Sequence, residues 1–90
     1  MGNRSISDKK RHPLESEIQR RIIRRYESMG YIVVKITLCN KNGFPDLMLL
    51  KDGKASFIEV KRPGEKPRPL QQYRLQELRD AGFTADVMCD

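Results

Sequence analysis

No stretch of this 90-residue sequence approaches the 18 or more consecutive apolar residues that a membrane span needs. The opening MGNRSISDKKRHP has no apolar core of the kind a secretory signal carries. Ile6 stands where a myristoylation signal wants serine or threonine. A cytoplasmic, intracellular protein with no membrane partner is the expectation. Cysteine occurs twice, as Cys39 and Cys89, in no CxxC pair, which argues against structural zinc. In a reducing compartment both are expected as thiols, read as small buried apolar residues within two strands. His12 is the only histidine and falls in a charged leader, so histidine chemistry is excluded from the folded part. There is no repeat, no low-complexity segment and no length for a second domain. Residues 1–13 read as a basic flexible leader and residues 14–90 as one domain.

Lysine and arginine number 18 against 12 acidic residues, for a formal net charge of +6. Such a balance favours a polyanionic partner, nucleic acid before an anionic membrane.

Leu14, Ile18, Ile22 and Tyr26 recur every four residues, with Ile23 beside them, and predict an amphipathic helix from about Leu14 to Met29. Arg20, Arg21, Arg24 and Arg25 make its back strongly basic, and Gly30 stops it. Tyr31–Cys39 is rich in β-branched residues and reads as a strand. The short apolar run that opens at Asp46 reads as a second strand. Asp52-Gly53 marks a tight hairpin into a third, Ala55 to Lys61. Residues 62–68 hold two prolines and a glycine and read as a loop. Pro69 suits the first turn of a second helix, with Leu70, Leu75 and Leu78 on its apolar stripe. Phe83–Cys89 alternates as a last strand. The order αβββαβ implies an α/β or α+β domain, a mixed sheet flanked by helices.

Three charged residues stand where packing alone would not place them. Asp46 opens an apolar strand. Glu59 and Lys61, two apart on a strand, share one face with Ala55 and Phe57. A charged pair at a half-buried site is costly without compensation. A divalent cation compensates it. Mg²⁺ or Mn²⁺ takes oxygen ligands, commonly one or two carboxylates with phosphate and water. Asp46 and Glu59, from adjacent hairpin strands, are the candidate ligands, with the Val60 carbonyl between Glu59 and Lys61 as a third. Such an ion polarises a phosphoryl oxygen and acidifies water, while Lys61 positions the attacking water or stabilises charge developing at phosphorus.

Pro45-Asp46 followed by Glu59-Val60-Lys61 resembles the PD-(D/E)xK nuclease signature. Together with Gly43-Phe44-Pro45-Asp46-Leu47, Phe57-Ile58-Glu59-Val60-Lys61 and Leu70-Gln71, the chain from about Leu14 to Cys89 resembles a stand-alone VRR-NUC (virus-type replication-repair nuclease) domain. The resemblance implies a restriction-endonuclease-like core, dependence on Mg²⁺ or Mn²⁺, and hydrolysis of DNA phosphodiesters. It also implies a glutamate on the first helix that helps hold the metal, often through water. Glu15 and Glu17 compete for that role. Glu15 lies three before Ile18 and seven before Ile22, on the inner stripe, whereas Glu17 lies four before Arg21, where an ordinary pair worth about 0.2–0.5 kcal/mol explains it. The resemblance further implies a glutamine on the second helix. Gln71, four before Leu75, is favoured over Gln72, and its amide is expected to bond the catalytic lysine or a water.

Phosphate contacts hold DNA without reading its sequence. Lys41, Arg62, Lys66 and Arg68, in loops beside the proposed site, are the expected phosphate contacts, ahead of the arginines of the first helix. No helix carries a base-reading pattern, so recognition of DNA structure is expected. A four-way junction is two-fold symmetric, and the stand-alone members are similar to archaeal Holliday junction resolvases, which act as homodimers. A homodimeric resolvase in DNA repair is therefore the specific expectation, with the stand-alone form pointing to a phage-encoded protein in a bacterial host. The alternatives are a nickase or flap nuclease, or a non-catalytic DNA-binding module on a nuclease-like fold.

Overall fold

The computed structural model describes residues 13–89. Of the expected leader only Pro13 is among them; the rest, His12 included, lies outside the described residues. The element order is α1 (Glu15–Ser28), β1 (Ile32–Lys35), β2 (Leu47–Lys51), β3 (Lys54–Val60), α2 (Pro69–Asp80) and β4 (Thr84–Met88).

The strands form one sheet in the order β1-β2-β3-β4. β1 with β2 and β2 with β3 are antiparallel, while β4 returns parallel to β3 after crossing over through α2. The β2–β3 hairpin turns on two residues, Asp52 at φ 53° and Gly53 at φ 74°. Two consecutive positive φ angles are what a tight type I′ turn requires, and Asp-Gly supplies them at little strain.

α1 lays Ile18 and Ile22, both fully buried, on one face of the sheet against Leu47, Leu49, Ile58 and Val60. The other face, under α2, holds a smaller cluster of Phe57, Leu75 and Ala85. Lys51 stands over the Tyr31 ring and donates from Nζ to the Met29 carbonyl, satisfying one free acceptor at the end of α1.

Several sequence expectations are corrected. The run Tyr31–Cys39 pairs as a strand only over Ile32–Lys35. The Ile36 N–H still donates to the Asp46 carbonyl, but the next stretch of the partner chain contains Pro45, which has no N–H to extend a ladder. Cys39 and Cys89 are both exposed, not buried, because Cys39 lies four residues past the end of β1 and Cys89 one past the end of β4. Leu14 and Leu70 are also exposed rather than part of the helix stripes. Leu70 instead lies across Gly43, where an added Cβ would stand 2.8 Å from the leucine Cγ.

Candidate active site

The sheet brings Asp46, Glu59 and Lys61 together at one end of the β2–β3 pair. Asp46 sits just before β2. Its Oδ2 accepts a hydrogen bond of 2.8 Å from the Val60 N–H, so the neighbouring strand fixes one oxygen of the carboxylate. Glu59, near the end of β3, is only 1% exposed, on the face that packs under α2. Its Oε2 accepts 2.9 Å from Gln71 Nε2 and lies 3.4 Å from Lys61 Nζ. Its Oε1 is buried and has no hydrogen-bond partner.

Gln71 holds that position through both ends of its amide. It is the third residue of α2, and its Oε1 accepts from the Arg68 N–H at the start of the helix while its Nε2 donates to Glu59. The amide therefore reaches the Glu59 carboxylate, where the sequence pointed to the lysine or a water. Gln72, the competing residue, is exposed and donates to the Pro67 carbonyl instead.

The electrostatics follow from this burial. Glu59 is pushed up to about 7, first by removal from water and then by the charge of Asp46; Lys61 pulls the other way without reversing the shift. Asp46 is raised by burial, against the opposing Val60 hydrogen bond and the charges of Lys61 and Lys35. Glu15 is raised by burial and by Asp46. Negative charge is thus in excess at this point of the fold, and the lysine only partly offsets it.

A cleft of about 490 Å³ opens over Asp46 and Lys61, lined also by Glu15 and Gln71 and by Glu65, Lys66 and Arg68 of the loop, with Glu59 beneath its lining residues. Glu15 is therefore at the site, whereas Glu17 accepts from the Leu14 N–H and caps the start of α1. Lys41 lines an adjoining cleft that shares Asp46, Arg68 and Gln71. Arg62 is placed differently: its Nε donates to the Pro13 carbonyl, which ties the loop to the start of α1. Sequence reasoning missed Glu65 and Lys35. Glu65 accepts from the Arg62 N–H across the Pro63-Gly64 turn, a local signal that the turn composition carried. Lys35 ends β1 beside Leu47, and only the strand register reveals its nearness to Asp46.

A divalent cation fits the donor set. A buried carboxylate oxygen has no partner, and both carboxyls are raised chiefly by burial, Glu59 also by the charge of Asp46. Among the described residues no group of three acidic, histidine or cysteine side chains is gathered for a metal. Two carboxylates are what Mg²⁺ commonly takes, with phosphate and water completing its shell.

The description VRR-NUC domain matches residues 37–89, more than half of the chain. The chain belongs to the VRR-NUC family. A solved structure described as a VRR_NUC domain superposes with a TM-score of 0.73, at 32% identity, over 81% of each chain. The mixed α+β architecture with its four-stranded sheet is thus the fold of a VRR-NUC neighbour. A phage protein named "Putative nuclease p44", from Acyrthosiphon pisum secondary endosymbiont phage 1, is 38% identical over 64 residues. That match takes in 70% of this chain and spans just under two thirds, 66%, of the relative. The VRR-NUC match includes Asp46, Glu59, Lys61 and Gln71, and Glu15 lies before it. No helix among the described residues is long and apolar enough to cross a membrane.

Proposed function

We propose that this VRR-NUC domain is a divalent-metal-dependent endonuclease that hydrolyses DNA phosphodiesters and selects branched DNA. One observation carries the reading. Glu59 is buried with one carboxylate oxygen unpartnered, ion-paired to Lys61, and Lys61 and Asp46 line a cleft that Lys66 and Arg68 also border.

The residues that would hold Mg²⁺ or Mn²⁺ are Asp46 and Glu59, with the Val60 carbonyl between Glu59 and Lys61 and with Glu15 reaching through water. When bound, the ion supplies Lewis acidity at the phosphoryl oxygen and lowers the pKa of a water molecule. The chain's own groups do the rest. The Val60 N–H and the Gln71 amide each take one carboxylate oxygen, which leaves the other oxygen of each pre-positioned as a ligand. Lys61, with a side chain only 11% exposed, orients the attacking water or stabilises the charge that gathers at phosphorus. Lys66 and Arg68, and Lys41 beyond them, hold flanking phosphates without reading bases.

Two symmetric nicks at a four-way junction need two symmetric sites, so a homodimer acting as a Holliday junction resolvase is the specific form of the proposal. A labelled four-way junction, a flap and a linear duplex, incubated with Mg²⁺ or Mn²⁺, test it. Expected is paired cutting of the junction, with Asp46→Asn and Lys61→Ala each reducing the rate by about a hundredfold or more. Binding with no cut under either metal would overturn the nuclease reading. A monomeric mass by light scattering at micromolar concentration would overturn the resolvase form.

A further inference from the structure

Among the described residues Leu38 is 93% exposed, and the next most exposed large apolar residue, Ile32, is 65% exposed. Leu38 lies in the segment between β1 and the Asn40–Gly43 turn, where no regular structure holds it. The segment that carries it is bonded to the rest of the fold on both sides. Before it, the Ile36 N–H donates 2.8 Å to the Asp46 carbonyl. After it, Cys39 Sγ donates to the Lys41 carbonyl and Arg74 Nε donates to the Asn42 carbonyl from α2. Gly43 then sits at φ +76° against Leu70, too close for any side chain. The segment is moored at both ends with its leucine outside.

Leu38 and Lys41 line a cleft of about 300 Å³ that shares Asp46, Arg68 and Gln71 with the catalytic cleft. The two clefts therefore meet at Asp46. A strand with its scissile phosphate at Asp46 and Glu59 continues past Lys41 and Arg68, which take phosphates, and meets Leu38. An isobutyl group offers nothing to a phosphate or a sugar hydroxyl. Its match on a nucleic acid is the face of a base, and in a continuous duplex those faces are stacked away.

We propose that Leu38 packs on the face of an unpaired base next to the scissile phosphate, and so makes the domain select DNA that is already open at that step. This rests on the nuclease reading above for the position of the cut. The flanking cations favour a polyanion over a second copy of this basic chain as the occupant of the cleft.

The test uses the full chain in EDTA, with a continuous duplex and a branched DNA of the same sequence. 2-Aminopurine replaces the base flanking the cut position, mapped beforehand with Mn²⁺ (or the branch-point base, if no cut is found). Expected is tighter binding of the branched DNA with a rise in 2-aminopurine fluorescence. Leu38→Ala should weaken branched binding by about tenfold, as loss of a buried aliphatic side chain does, and abolish the rise. Its duplex binding should stay within twofold, and Leu38→Met should restore both signals. Equal effects of Leu38→Ala on both DNAs, or no effect, would overturn the proposal. So would loss of a dimer in Leu38→Ala by light scattering, since the side chain would then belong to an interface between copies. Failure of the wild type to cut any DNA would sink the nuclease reading alone, because the binding and fluorescence differences are read without cleavage.

Discussion

The two faces of the sheet are built on different terms. Under α1 the sheet contact is an apolar cluster in which Ile18 and Ile22 meet Leu47, Leu49, Ile58 and Val60, all buried, with Gln19 the one buried polar side chain of that helix. Under α2 the apolar cluster stops at Phe57, Leu75 and Ala85, and the next inward position of β3 is Glu59, bonded to Gln71 of the helix. One helix fixes the sheet, and the other gives up apolar contact to aim a carboxylate. A domain of this size has little stability to spare, so the second arrangement depends on the first.

The sharpest way to break the contrast is Ile22→Ala. Truncating this fully buried side chain removes apolar contact and leaves a cavity, so urea denaturation should show a loss of about 3–4 kcal/mol. Cleavage per folded molecule should stay near wild type at low temperature, because Ile22 lines neither cleft at Asp46. A loss below 1 kcal/mol would mean that the α1 face is not the principal core.

Glu59→Gln should act in the opposite direction, and with a dependence on pH. Glu59 binds its proton up to about 7 in the fold and only to about 4.5 when unfolded. Between those values the native state holds more protons, so stability falls as pH rises, and above about 7 the full penalty of the buried charge is present. The shift corresponds to roughly 3 kcal/mol at most. In EDTA at pH 8 Glu59→Gln should therefore unfold at a higher temperature than wild type, with the gain fading towards pH 4.5. Cleavage by wild type should rise with pH through about 7, since ligation needs the carboxylate. A stability difference that is flat from pH 4.5 to 8 would show that Glu59 is not uncompensated in the fold.

Gln71→Ala comes next in size. Glu59 Oε2 loses its amide donor and the Arg68 N–H loses its acceptor, for a cost of about 1–2 kcal/mol by urea denaturation. Because Gln71 acts by positioning Glu59, the variant should lose more in kcat than in KM and should need more Mg²⁺ or Mn²⁺ for half-maximal rate, by about ten- to a hundredfold. Gln71→Glu, which keeps the length but places a second negative charge beside Glu59, should not rescue. An unchanged metal requirement would reduce Gln71 to a helix cap.

The residues that were legible in sequence were those with a local reason. Pro-Asp before an apolar strand, Asp-Gly at the hairpin and Glu-x-Lys on one strand face each follow from backbone rules that span a few positions. The αβββαβ order follows from the same rules. What escaped was set by pairing between distant segments. Nothing near Cys39 announces that its strand ends at Lys35, because that limit comes from Pro45 across the ladder. Nothing near Leu70 announces that it closes on Gly43 rather than on the sheet. The reading of Gln71 did not include its bond to the Glu59 carboxylate for the same reason. The helix spacing placed the amide on the inner stripe, but only the parallel return of β4 and the register of β3 set which atom lies under it.

Gln72→Ala gives the smallest effect and the most direct control on the comparison. Gln72 is one residue from Gln71 and has the same chemistry, yet it lies about 100° further round the helix, exposed, with its amide on the Pro67 carbonyl. If α2 contributed to the site through general polarity, the two substitutions would resemble each other. If it contributes through one amide held at both ends, Gln72→Ala should change stability by less than about 0.5 kcal/mol and leave the metal requirement and the pH profile unmoved. A loss of activity in Gln72→Ala comparable to that in Gln71→Ala would mean that the start of the helix as a whole, and not the Gln71–Glu59 bond, shapes the site.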